Sequence, residues 1–213
     1  MRRKNIILLI CLMTSILVHG QKTTFDHFLN QFRTINCFTA ESLTCTADTV
    51  INQEQVEMYL PIPPSICNLE KDKNWRSTAK WSINNHIVVC VNTFYDRPCE
   101  EEGYPWFEDW LVSYDKDGHV IDYILTIKSG DRYYSDLNGT DFPTKISFIQ
   151  ATTLIEDLVN RKDDEWDVLP CDVEFFDITM DENGHFHKIS TLRSRKGQKI
   201  WNKETNGYDL KLE

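Results

Sequence analysis

Apolar and polar residues alternate between Trp110 and Ile127, on both sides of Asp117-Gly118. Side chains of a strand point alternately to its two faces, so the stretch predicts a β-hairpin. Asp-Gly suits the two central residues of a type I′ turn, both of which need φ > 0. With that loop, Lys116 faces His119, Tyr114 faces Ile121, Val112 faces Tyr123 and Trp110 faces Leu125. The other face pairs Asp115 with Val120, Ser113 with Asp122 and Leu111 with Ile124. A slip of one residue would move the apolar set to the wrong face. The pattern returns from Phe175 to Leu192, where Asn183-Gly184 is the expected loop. There Ile178 faces Ile189 and Phe176 faces Thr191. Tyr-Asp-Lys-Asp-Gly-His in the first stretch matches Met-Asp-Glu-Asn-Gly-His in the second. Two readings stand side by side: a duplicated unit, or two independent hairpins of common chemistry.

Helical spacing is found near the start. Phe25, Phe28, Leu29 and Phe32 form one stripe at i, i+3, i+4 and i+7, predicting a helix from Thr24 to Ile35. Thr24 is the expected N-cap, and Asp26 in the first turn suits the helix dipole. So short a helix must dock to be stable, and the face of Trp110, Val112, Tyr123 and Leu125 offers a site. Residues Cys37 to Lys73 read as irregular. Within them, Leu60-Pro61-Ile62-Pro63-Pro64 is extended and polyproline-like, because proline lacks the ladder donor.

Strands are expected from Ser77 to Ile83, from His86 to Tyr95 and from Arg132 to Ser135. Arg97 to Pro105 reads as a loop, and Asn138-Gly139 with Pro143 marks another. Lys145 to about Leu154 reads as strand. Leu154, Ile155, Leu158 and Val159 have helical spacing, which leaves 155–161 open between helix and strand. Arg161 to Pro170 is an acidic loop. Gln198 to Asn202 and Tyr208 to Leu212 close the chain as strands, after turns at Lys196-Gly197 and Asn206-Gly207. The fold class is α+β, mostly β, with an N-terminal helix packed on an antiparallel sheet or meander of hairpins.

The first residues change the picture of where the chain works. Arg2, Arg3 and Lys4 precede an apolar run from Ile6 to Val18, followed by His19-Gly20. This predicts a signal peptide over residues 1–20 and one exported domain over 21–213. The run is shorter than the about 20 residues of a membrane span. Cys11 follows Ile10, which is bulky for a lipoprotein box. Cleavage takes the net charge from −10 to −13. That balance argues against nucleic acid and against anionic membrane surfaces as partners.

Cys37, Cys45, Cys67, Cys90, Cys99 and Cys171 remain after cleavage. Six cysteines in an exported chain predict at least one disulfide, with Cys37–Cys45 the shortest loop to close. Cys90, inside Ile-Val-Val-Cys-Val, reads as a core thiol. No Cys-x-x-Cys spacing points to zinc or redox chemistry.

Candidate chemistry is sparse. His185 and His187 share a strand face, and His119 matches His185, which is the beginning of a metal set without a third ligand fixed by spacing. Asp115-Lys116-Asp117-Gly118 opens like a calcium loop but lacks its length and distal glutamate. Glu100, Glu101, Glu102, Glu108, Asp109 and Asp163 to Asp167 lie in expected loops beside Trp106, Trp110 and Trp166. Loop carboxylates among aromatics suit glycoside hydrolysis, and exposed tryptophans suit stacking on sugars. Asn138-Gly139-Thr140 fits an N-glycosylation acceptor. No Gly-x-Ser-x-Gly, phosphate loop or His-Glu-x-x-His is present.

The signal peptide, the Phe25-x-x-Phe28-Leu29-x-x-Phe32 helix and the Leu111 to Asp122 hairpin together resemble a loose group of small exported proteins of Gram-negative bacteria, of uncharacterised function. The resemblance implies a β-rich exported domain, periplasmic or secreted, and carries over no functional residue. The expected function is therefore non-enzymatic binding of a protein partner, as an inhibitor or periplasmic interaction partner. The alternatives are a carbohydrate-binding module using tryptophans and a hydrolase using loop carboxylates. No residue is assigned a catalytic, cofactor-binding or metal-binding role.

Overall fold

The computed structural model describes residues 24–39, 50–60, 73–95, 107–130, 133–154, 157–158, 167–205 and 207–213. Most of them are strand. One five-stranded sheet runs in the order β1 (Arg33–Thr34), β2 (Lys73–Ile83), β3 (His86–Tyr95), β4 (Phe107–Tyr114), β5 (Val120–Ser129). The other runs β10 (Gly207–Leu212), β9 (Phe186–Asn202), β8 (Val168–Met180), β7 (Lys145–Thr152), β6 (Tyr133–Asp141). Every pairing is antiparallel except that of the two-residue β1 with β2. Two short helices precede the meander: α1, residues 24–29, and α2, Gln53–Tyr59.

The type I′ turn lies elsewhere than expected. Asn84 and Asn85 have φ of 49° and 66° and join β2 to β3, with Ile83 opposite His86. Asparagine tolerates the left-handed region that such a turn needs. The two Gly-His turns are of another kind. Gly118 N–H bonds the Asp115 carbonyl, Asp115 N–H bonds the His119 carbonyl, and Gly118 has φ of 90°. The loop is therefore three residues long, a type I turn closed by a left-handed glycine. Asp181, Gly184 and His185 repeat it, with Gly184 at φ 89°.

A three-residue loop moves the register by one residue, and the two hairpins absorb the change differently. In the first, Tyr114 pairs with Val120, so Ile121 is bulged out of the ladder. Beyond it Ser113 pairs with Asp122, Val112 with Tyr123, Leu111 with Ile124 and Trp110 with Leu125, as the alternation predicts. In the second, no bulge follows the turn until Thr191, beyond which Leu192 pairs with Phe175. Ile178 pairs with Lys188 and Phe176 with Ser190, and the expected partners Ile189 and Thr191 are displaced.

Other boundaries also differ. α1 ends at residue 29 rather than 35, and the chain then enters β1. α2 occupies a region expected to be irregular. Its N-cap Asn52 accepts the Gln55 N–H at 2.9 Å, and the helix buries Tyr59. Asn138-Gly139 lies within β6, beside a register shift, and Lys196-Gly197 lies within the long β9. Residues 168–170 belong to β8. Pro170 is tolerated there because β7 ends opposite Asp172, leaving β8 one neighbour at that point. Residues 157–158 are helical, while 155–156 and 159–161 lie outside the described residues.

Two apolar layers follow from the alternation. The shared face of the sheets buries Trp81, Val88, Cys90 and Leu111 against Ile146, Phe148, Phe176 and Ile178. The opposite face of the first sheet contributes Val89, Val91, Trp110, Val112 and Tyr114 to a second cluster with Phe25, Phe28, Phe32 and Tyr59. Phe25 and Tyr114 ring centres are 5.1 Å apart, and Tyr114 donates its hydroxyl to the Tyr59 carbonyl at 2.7 Å. Each such ring, fully buried, contributes about 1.5–3 kcal/mol.

Candidate functional site

The hairpin tips show what the histidines do. Asp115 Oδ1 accepts the N–H groups of Asp117 and His119 at 2.8 and 2.9 Å. Asp181 Oδ1 accepts those of Asn183 and His185 at 2.9 and 3.0 Å. Each aspartate also holds a histidine ring: His119 Nδ1 lies 2.9 Å from Asp115, and His187 Nε2 lies 3.2 Å from Asp181. For Asp115, partial burial works against the charge, but the His119 and Asp117 bonds outweigh it and hold the carboxyl below its ordinary value. For Asp181, the His185 N–H and the His187 ring do the same. The His185 ring faces a third carboxylate, Asp122, at 3.8 Å, so the three histidines serve separate carboxylates. Among the described residues no group of three or more His, Cys, Asp or Glu is placed to hold a metal ion.

The second tip is fastened to the first sheet. Ser113 donates its hydroxyl to the Gly184 carbonyl at 2.7 Å. Phe186 N–H donates to Asp122 Oδ2 at 2.8 Å, while Asp122 Oδ1 accepts the Tyr123 N–H. His86 Nε2 lies 2.9 Å from the Glu182 carbonyl, so this nitrogen carries the hydrogen. Asp122 lies opposite Ser113 as expected and, beyond that expectation, is a hook between the sheets.

The described candidate acids sit differently from the expectation. Glu108 and Asp109 are not in a loop but in β4, and both are buried. Adjacent strand residues point to opposite faces. Asp109 meets the Asn92 amide on the shared face, and Glu108 meets Lys128 Nζ at 3.9 Å on the other. Two carboxyls divided by a sheet cannot flank one glycosidic bond. Glu100, Glu101, Glu102, Trp106 and residues 163–166 lie outside the described residues, and Asp167 is exposed in the turn before β8.

Trp75, Trp81 and Trp110 are buried and form no platform. Trp201 is half-buried, edge-on to Tyr208 with ring centres 5.0 Å apart. Cys90 is a buried core residue, Cys171 is buried and Cys37 exposed. Burial pushes the Cys171 thiol up to about 11. Cys45, Cys67 and Cys99 lie outside the described residues, and with them the expected Cys37–Cys45 bridge.

The feature that sequence reasoning missed is the outer face of the second sheet. The uncompensated turn sends Ile189 outward beside Asp177; a bulge at Thr191 then restores the expected register and sets Leu192 outward beside Phe175. Ile189 is 53 % exposed and Leu192 48 %. Half-buried Ile149 and Phe175 continue the strip toward Tyr134, over the small buried residues Ala151 and Val173. A polar margin closes one end: Ser147 donates to Asp177 at 2.6 Å, and Lys145 lies 3.3 Å from Asp141 and 3.9 Å from Asp177. A legible signal existed, since aspartate followed three residues later by glycine marks the type I turn.

No family profile, curated protein or solved structure matches the chain. No helix of the described residues is long and apolar enough to cross a membrane.

Proposed function

We propose that the chain is an exported, non-enzymatic binding protein that engages another protein through the outer face of its second sheet. The observation that carries this reading is the pair Ile189 and Leu192, both about half exposed at the centre of an apolar strip with a charged margin. Exposed apolar strips rimmed by polar groups are characteristic of protein contacts. In the same proposal α1 closes the opposite, outer face of the first sheet, leaving the second sheet as the working side. Export rests on the charged start, the apolar run and Gly20, and the resemblance to exported Gram-negative proteins agrees with it.

A photo-crosslinking residue at position 189 tests the reading in cells of the native source. It should give a discrete adduct that Leu192→Arg removes and that the same probe at Glu57, exposed on α2, does not give. Equal labelling at both positions would refute it. Export is checked separately: mature protein should begin at Gln21, and an intact Met1 would sink that part.

Sugar binding remains the second reading, supported by the half-exposed Trp201 against Tyr208. It predicts glycan binding that Trp201→Ala abolishes and Leu192→Arg leaves alone. The hydrolase reading has less support, because Glu108 and Asp109 are buried on opposite faces.

A further inference from the structure

The pair Asn92–Asp109 has a donor missing. Both side chains are buried between the sheets, with Asn92 4 % and Asp109 3 % exposed. The Asn92 amide nitrogen donates to Asp109 Oδ1. The Asn92 amide oxygen is buried and receives no hydrogen bond from the described residues. A carboxylate can only accept, so an ionised Asp109 cannot supply that donor. A neutral carboxyl can: it donates its O–H to the amide oxygen while its other oxygen accepts the amide N–H.

Among the described residues no cation is paired with Asp109. On β5 its neighbours are Ile127 and the bulged Thr126, whose hydroxyl donates to the Asp109 main-chain carbonyl at 2.9 Å. Arg76 is in line on β2, but on the far side of Asn92. Glu108 and Lys128 face the other side of the sheet. Across the core the second sheet contributes Leu137, Ile146, Phe148, Phe176 and Ile178, and a charged pair near them is Lys188, 3.7 Å over the Phe176 ring, with Glu174 at 4.0 Å. Burial accordingly pushes the Asp109 carboxyl up to about 7, opposed only by the Asn92 bond.

We propose that Asn92 and Asp109 form a proton-held latch between β3 and β4, closed while Asp109 is neutral and loosened when it ionises. The latch lies near the end of these strands, two pairs from Phe94–Phe107, the last pair between them. Its opening frees that end of the first sheet before the remainder. The carboxyl is raised above its unfolded value of 3.8, so its contribution to stability is complete below that value. It falls as pH rises and is gone once pH passes about 7.

The test uses the full mature chain. Carboxyl-carbon NMR of Asp109 should show a midpoint near 7, and a midpoint in the ordinary carboxylate range would overturn the latch. Asp109→Asn keeps a neutral side chain at every pH. The ratio of its folding constant to that of the natural chain should rise about tenfold per pH unit from pH 5 to 6.5 and level off above about 7. A ratio that stays constant from pH 5 to 8 contradicts the proposal. If Asp109→Asn does not fold, the wild-type carboxyl titration alone decides.

Discussion

The two hairpins carry the same turn and end in opposite arrangements. Asp115 and Asp181 accept the same two N–H groups, and Gly118 and Gly184 take the same left-handed conformation. The difference begins one residue past the turn. β5 bulges at Ile121, which restores the register and returns Val112, Tyr123, Trp110 and Leu125 to one apolar cluster. β9 has no bulge before Thr191, and Ile189 ends on the surface. A single extra residue in a ladder therefore decides whether a strand's aliphatic residues fill a core or display themselves. The bulge has a second use, because Ile121 packs over Gly184 and so joins the two tips.

The glycines give the largest way to break the comparison. A Cβ on Gly118 would lie 2.6 Å from the Phe25 ring, and one on Gly184 would lie 2.9 Å from the end of Ile121. An aromatic ring packed between Phe28, Tyr59 and Tyr114 yields less than an aliphatic tip. Gly118→Val should cost about 3–5 kcal/mol, combining left-handed strain with overpacking. Gly184→Val should cost about 2–3 kcal/mol by the same mechanisms. Urea unfolding measures both, and the reverse order would mean that the first turn is not held under Phe25.

Removing the hook between the tips is next in size. Asp122→Ala leaves the Phe186 N–H without its acceptor and should cost about 2 kcal/mol. Ser113→Ala, which loses one neutral bond to Gly184, should cost about 1 kcal/mol. A double variant losing clearly less than the sum would show that both act on one clasp.

Acid sharpens the comparison of the turns themselves. Asp115 and Asp181 both lie below their ordinary values, so what they contribute is present above that range and lost as pH falls through their folded values. Asp115→Asn and Asp181→Asn should each make acid unfolding below about pH 4 less steep. The sign is opposite to that of Asp109, so the two groups separate cleanly in a pH series.

Much of this architecture was written in the alternation. β3 was legible residue for residue because β-branched residues run through it, and β4–β5 beyond the bulge because apolar residues recur there on one face. α2 was not, since seven residues before a proline run carry too short a period. Asn84-Asn85 was overlooked as a turn because it has no glycine. The site was the least legible part. Asp117-Gly118 and Asn183-Gly184 fit both a two-residue and a three-residue loop, and the choice moves Ile189 from core to surface. Glu108 and Asp109 looked like loop acids because Glu100 to Glu102 precede them, and only pairing with Thr93 and Asn92 shows that they are strand.

The exposure of Ile189 is the claim on which the functional reading depends, and Ile189→Arg tests it most directly. Urea unfolding of this variant should fall within about 0.5 kcal/mol of the natural chain, as for a surface substitution. A loss of about 3 kcal/mol or more would place Ile189 inward opposite Ile178 and contradict the register of the second hairpin.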